Sequence, residues 1–167
     1  LVKDFRKSDY NTPIVLMGYF NPIFQYGLKN FFFNCSKVGI DGLIIVDLPP
    51  EEDHYVNSYT KEYNIHNIRL LTPTTHEERL KKILRHTSGF LYYVSVMGIT
   101  GTKKPSISDV RISLEKIRKI SNLPICVGFG IKNKNQIQSL NKFSDGCVVG
   151  SVIVSFIEEF DKGKYSE

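Results

Sequence analysis

The sequence predicts an α/β fold in which parallel strands and helices alternate, and three observations carry that expectation. Short β-branched apolar runs recur along the chain, each followed by a stretch of helical character, the pattern of βα units around a parallel sheet. The runs are near-continuously apolar, as strands covered on both faces are. The last two close on glycine, at Gly128-Phe129-Gly130 and at Gly150-Ser151. Glycine lets backbone N–H groups approach a ligand with no Cβ in the way, and Ser151 adds a hydroxyl. In a (β/α)8 or TIM barrel the loops after strands 7 and 8, with the amino end of a short extra helix, build a phosphate cradle of this kind. An open doubly wound sheet is the rival fold, and it gives no reason for glycine-rich ends to fall on the final two strands. A complete barrel runs to about 250 residues. The 167 residues here supply six βα units, so the expectation is one partial barrel domain lacking two units at its front.

The elements follow in order. Residues 1–10 read as the tail of an earlier helix, and strands are expected at Pro13–Tyr19, Asp41–Asp47, Asn67–Leu71, Gly89–Ser95, Pro124–Gly130 and Asp145–Ser151. Helices are expected at Gly27–Val38, Glu51–Tyr63, His76–Arg85, Ser108–Ile120 and Asn133–Phe143. Several carry start signals: Pro49-Pro50 ahead of Glu51-Glu52, Thr74-Thr75 ahead of Glu77-Glu78, and Ser108-Asp109. No linker or low-complexity tract interrupts the rhythm.

Composition excludes several classes. The net charge of +5 comes from lysines scattered over helix faces and loops, which argues against a nucleic-acid surface. No apolar run approaches the roughly 18 residues of a membrane span, and the start, LVKDFRKSDYN, has no signal-peptide h-region. It opens on Leu1 rather than an initiating Met, which suggests a piece of a longer protein truncated at that residue. Cys35, Cys126 and Cys147 are odd in number and without CxxC spacing, so they read as small core residues of a reducing compartment. His54, His66, His76 and His86 follow no metal-ligand spacing and read as surface or helix-end residues. On position alone, Asp47 at the carboxyl end of its strand is the first choice for a general base.

Four segments, DGLIIVDLPPEE (41–52), GFLYYVSVMGITG (89–101), GFGI (128–131) and VVGS (148–151), resemble the tryptophan synthase alpha subunit family. PIVLMGYFNPIFQYG (13–27) and TPTTHEER (72–79) are similar to it as well, so the resemblance runs in order from about Thr12 to Phe156. GFG and GS fit many phosphate-binding barrels; YFNPIFQYG and DLPPEE are far more specific. The resemblance implies a barrel that cleaves indole-3-glycerol phosphate to indole and glyceraldehyde 3-phosphate, a retro-aldol reaction using two carboxylates for proton transfer. Those carboxylates, a Glu on the family's second strand and an Asp after it, match no residue here and are expected upstream of Leu1. The six units then correspond to family strands 3 to 8, and residues 1–167 alone are expected to be inert or nearly so.

Residue by residue, the resemblance assigns substrate contacts to Tyr92, to Phe129 and Gly130, and to Gly150 and Ser151 at the phosphate. Thr100 and Gly101 match a lid over the substrate, and Met17, Tyr19, Ile44 and Leu71 match the indole pocket. Tyr93 is expected to point the other way, into helix packing. Asp47 becomes a residue that communicates with a beta subunit, with a capping or turn role ahead of Pro49-Pro50 as the alternative. Asn21, Pro22, Pro49, Pro50 and Pro73 fall in loops that face that partner in an alpha2-beta2 complex. No cofactor or metal is implied for the alpha chain; pyridoxal phosphate would sit on the beta subunit. The expected compartment is the cytoplasm, with a plastid stroma also compatible. Two other readings remain open: another phosphate-gripping barrel isomerase or lyase, and a non-catalytic module that regulates a beta-type partner.

Overall fold

A computed structural model describes residues 1–95, 106–128, 130–131 and 133–161. Along the chain run α1 (Val2–Phe5), β1 (Val15–Gly18), α2 (Phe20–Tyr26), α3 (Leu28–Val38), β2 (Gly42–Ile45), a 3-10 turn (Pro50–Glu52), α4 (His54–Glu62), β3 (His66–Asn67) and β4 (Arg69–Leu71). There follow α5 (Glu77–Leu84), β5 (Leu91–Val94), α6 (Ile107–Arg118), β6 (Ile125–Gly128), α7 (Lys134–Leu140), β7 (Gly146–Cys147) and α8 (Ser151–Asp161). Strands and helices alternate as expected, in sheets ordered β1-β2-β3 and β4-β5-β6-β7. Residues 1–70 and 76–91 form one compact unit and residues 71–75 and 92–167 a second.

In the first unit β1 and β2 run parallel with Val15 opposite Gly42 and Met17 opposite Ile44, and β2 pairs with β3 through Gly42 and His66. All four residues of β2 are buried, which explains its unbroken apolar sequence. Helices α3 and α4 cover it: Phe32, Cys35, Leu43, Ile45 and Val56 belong to one core cluster, and Phe32 stacks on Tyr59 at 5.6 Å. Gly39 ends α3 in the left-handed region at φ 87°, its N–H returning to Cys35 and Ser36 carbonyls. In the second unit β6 and β7 are parallel, with Cys126 opposite Gly146 and Val127 opposite Cys147. Val110, Leu114 and Ile117 form the buried stripe of α6, whose amino end is closed by a Ser106–Asp109 capping box.

Four expectations are corrected. The strand expected at 67–71 is two, interrupted at Ile68, whose N–H donates to Leu43 O while the Asn67 side chain turns to His86 O. Asn21 and Pro22 stand not in a loop but in the first turn of α2, where a proline without N–H costs nothing. The strand expected at 145–151 ends at Cys147, and Ser151 instead begins α8. Of residues 1–10, expected as helical throughout, only Val2–Phe5 is helix, with Leu1 O accepting the Asp4 and Phe5 N–H groups. After this turn the Asp9 carboxylate folds back on the Asn11 and Thr12 amides. The cysteines are free, but only Cys35 is buried, where burial lifts its thiol to about 11; Cys126 and Cys147 are half-exposed. All four histidines are exposed.

Candidate functional site

The phosphate candidates all belong to the second unit. Tyr92 and Tyr93 alternate on β5 as a strand requires, so Tyr93 is buried beneath α6 while Tyr92 is half-buried on the other face. Burial raises the Tyr92 phenol above its usual range, leaving it a protonated donor at neutral pH. Its ring lies on the Cα of Gly128: a Cβ there would stand 2.6 Å from Tyr92 Oη and 2.7 Å from Cε2. Gly128 is therefore required by the tyrosine, a reason that the sequence reading, which saw ligand access, did not supply. Ser95 ties β5 to β6 at this point, its N–H and hydroxyl both donating to Gly128 O.

Gly130 adopts φ 59°, and Gly150 and Ser151 are exposed. A Cβ on Gly150 would meet nothing within 4 Å among the described residues. Its carbonyl accepts from Ile153 and Val154 N–H and so opens α8 as the N-cap. The first-turn amides of an 11-residue helix with no acidic residue in that turn thus issue from the position the sequence singled out. That end suits a doubly charged ester. The exposed face of α8 is different in kind, an apolar depression of about 380 Å³ lined by Ile153, Phe156, Ile157 and Phe160. Thr100, Gly101 and Phe129 lie outside the described residues.

Of the four pocket candidates, Met17 and Tyr19 are exposed at the end of β1, whereas Ile44 and Leu71 are buried core residues of β2 and β4. Asp47 is exposed and its Oδ1 accepts the Phe20 N–H at 2.7 Å, capping α2 from a distant loop rather than the turn at Pro49-Pro50. Pro49 is the N-cap of the 3-10 turn and Pro50 its first residue; Pro73 is exposed in the turn after β4.

Two groups of charged residues escaped the sequence reading. Arg69 and Asp53 form an ion pair with side chains only 6% and 3% exposed, and Arg69 Nη1 also donates to Leu48 O. Burial lowers the Arg69 pKa, though a guanidinium remains charged. The only signal was an arginine inside an otherwise apolar strand. Elsewhere Asp41 and Asp145, each opening a strand, bind an arginine and a backbone N–H, as Asp41 does with Arg6 and Ile14. Among the described residues no cluster of His, Cys, Asp or Glu is arranged to hold a metal, and no helix is long and apolar enough to cross a membrane.

The model of the family described as tryptophan synthase alpha chain matches residues 1–167. The chain is similar to the crystal structure of tryptophan synthase subunit alpha from Legionella pneumophila str. Paris, with 38% identity and a TM-score of 0.88 over 99% of this chain and 60% of that one. It is similar to subunit alpha from Campylobacter jejuni, at 36% identity and TM-score 0.83, covering 94% of this chain and 63% of that one. A third neighbour, from a structure titled for mutual activation in the tryptophan synthase a2b2 complex of Pyrococcus furiosus, has 37% identity and TM-score 0.83 over 95% and 64% of the two chains. The chain thus spans about 60% of the length of these relatives, with the alternating parallel architecture of part of a TIM barrel. A family model matching from the first residue to the last, and solved alpha subunits more than a third identical to the chain, place this protein in the tryptophan synthase alpha chain family.

Proposed function

We propose that this chain serves as the substrate-gripping part of a tryptophan synthase alpha subunit, a carbon–carbon lyase that converts indole-3-glycerol phosphate to indole and glyceraldehyde 3-phosphate. The observation that carries the reading is the opening of α8 at Gly150-Ser151, directly after the last strand, in a chain of this family. The phosphate dianion sits against the first-turn amides and the Ser151 hydroxyl, where partial positive charge and donors coincide. Gly130 lets the backbone come close to it. Tyr92, held over Gly128, supplies a phenol O–H beside the glycerol and indole portions of the ligand. Met17 and Tyr19, exposed at the end of β1, and the buried Ile44 and Leu71 are the residues assigned to the indole ring.

Thr100 and Gly101 belong to the lid in this reading, and Phe129 to the phosphate edge. The two carboxylates that the family uses for proton transfer match no position from Leu1 onward, so substrate binding is the step this chain's residues serve. Release of indole at ordinary rates by residues 1–167 alone would contradict that assignment. The alpha subunit uses no cofactor of its own; a cytoplasmic beta subunit carrying pyridoxal phosphate is the partner, approached through Asp47, Asn21, Pro22, Pro49, Pro50 and Pro73.

Glycerol 3-phosphate titrated into the 167-residue chain and followed by ³¹P NMR tests the reading. Ser151→Asp places like charge against the ester and is expected to weaken binding roughly tenfold or more. Equal affinity in the two proteins would remove the phosphate from α8.

A further inference from the structure

The buried Arg69–Asp53 pair lies under the loop that links β2 to α4. Asp53 is the N-cap of α4, a position whose carboxylate ordinarily accepts a first-turn N–H; here the side chain makes no capping bond and goes to Arg69. The guanidinium also donates to Leu48 O, so one side chain on β4 grips the loop at both Leu48 and Asp53. Between these grips the Glu52 and Asp53 N–H groups donate to Pro49 O and Pro50 O within the turn, and Glu51 meets Arg79 in an exposed contact of 3.3 Å. Immediately before Leu48, the Asp47 carboxylate receives the Phe20 N–H, and Val46 N–H donates to Gly18 O. A buried ion pair is a poor way to add stability, since apolar residues of similar volume commonly do as well. Its distinguishing property is direction, because the Arg69 Nη1–H donates to the Leu48 carbonyl in one geometry, with the ion pair to Asp53 beside it, whereas an apolar contact accepts many placements.

We propose that Arg69 is the positioning residue of the Asp47–Asp53 loop, fixing Leu48 and with it the Asp47 carboxylate at the amino end of α2. The first turn of α2, with Asn21 and Pro22, and the loop with Pro49 and Pro50 are then presented as one preset surface. This deepens the reading of Asp47 as partner-facing and rests on that reading for the identity of the partner, a tryptophan synthase beta subunit.

Amide hydrogen exchange on the 167-residue chain separates positioning from bulk stability. In Arg69→Leu the Phe20 amide is expected to exchange roughly tenfold faster or more, while the Ile125 amide, held by Asp145 in the other unit, keeps its wild-type rate. Arg69→Lys, which retains a donor for Leu48 O or Asp53, recovers part of the protection. The double variant Arg69→Leu with Asp53→Leu removes both charges; it is expected to keep global stability and still lose Phe20 protection, which a merely structural role would not produce. The double variant decides the matter if the single leucine variant does not fold. Wild-type Phe20 exchange in the double variant would overturn the proposal. Titration with the beta subunit reads the functional half: weaker binding by the double variant, with glycerol 3-phosphate affinity unchanged, supports it. Failure of the wild-type chain itself to bind the beta subunit sinks the partner reading alone, because the Phe20 exchange still reports on Arg69.

Discussion

The two compact units contain the same clamp, built at different strength. In the first, Asp41 Oδ2 accepts the Ile14 N–H and Arg6 Nη2, both at 2.7 Å, and the Asp41 N–H returns to Ile14 O. In the second, Asp145 Oδ2 accepts the Ile125 N–H at 2.8 Å and Arg118 Nη2 at 2.7 Å, and the Asp145 N–H returns to Ile125 O. Even the carbonyl two residues ahead of each aspartate, Gly39 or Phe143, takes the same arginine. In both, an isoleucine after a proline stands at the entry of one strand and an Asp-Gly at the entry of the next. The difference lies in the cation. The Arg6 side chain is 11% exposed and donates also to Asp9 O and Thr12 O; that of Arg118 is 41% exposed. Identical hydrogen bonds in a wetter setting hold less, because water competes for each partner. The unit read as carrying the phosphate is thus tied at its strand entry by the weaker copy.

The largest effect that can break this comparison comes from removing each aspartate. Asp41→Ala leaves a nearly buried guanidinium and the Ile14 N–H without their acceptor, and the expected loss is about 2–4 kcal/mol. Asp145→Ala has the same bonds to lose but a cation that water can solvate, and about 1–2 kcal/mol is expected. Urea titration of the two variants measures the difference, and equal losses would show that burial of the arginine is irrelevant. A smaller effect sharpens it by pH. The Ile125 N–H above all, and then Arg118 against the opposing pull of partial burial, hold the Asp145 carboxyl below its ordinary value. A lowered folded pKa stabilises above the unfolded value of about 3.9, and the contribution fades as pH falls through the folded one. The stability gap between wild type and Asp145→Ala should therefore stay level from pH 5 to 8 and shrink below about pH 4. A gap that grows on acidification would reverse the sign.

What the sequence revealed and what it concealed divide by distance along the chain. The strands were legible because burial on both faces writes an apolar run into local sequence, as in GLII of β2. Helix α2 was not, since its cap is supplied by Asp47 from the far end of another strand and Pro22 reads locally as a breaker. The run VVG reads as strand, yet the β7 pairing ends at Cys147, with Val148 N–H making one further bond to Val127 O. At the candidate site, Gly150-Ser151 was legible through its place after the last strand. The role of Gly128 was hidden because it depends on Tyr92 from another strand, and that of Arg69 because its partner Asp53 lies on another element.

The smallest expected effect on stability distinguishes a glycine kept for the fold from one kept for a ligand. Gly39 in the first unit stands at φ 87°, and a Cβ there would lie 2.9 Å from Arg6 Nε, so the fold itself demands glycine. Gly150 in the second has no such conformation, and its Cβ would meet nothing within 4 Å among the described residues. Gly150→Ala should leave stability within about 0.5 kcal/mol of wild type by urea titration, for nothing among the described residues opposes the methyl group. If the amino end of α8 grips the phosphate, that same methyl stands where the ester oxygens approach the backbone, and glycerol 3-phosphate affinity should fall by roughly tenfold. Loss of affinity without loss of stability assigns Gly150 to the ligand. An alanine variant that binds as well as wild type would mean that the open space beside Gly150 serves no phosphate, whatever the family to which the chain belongs.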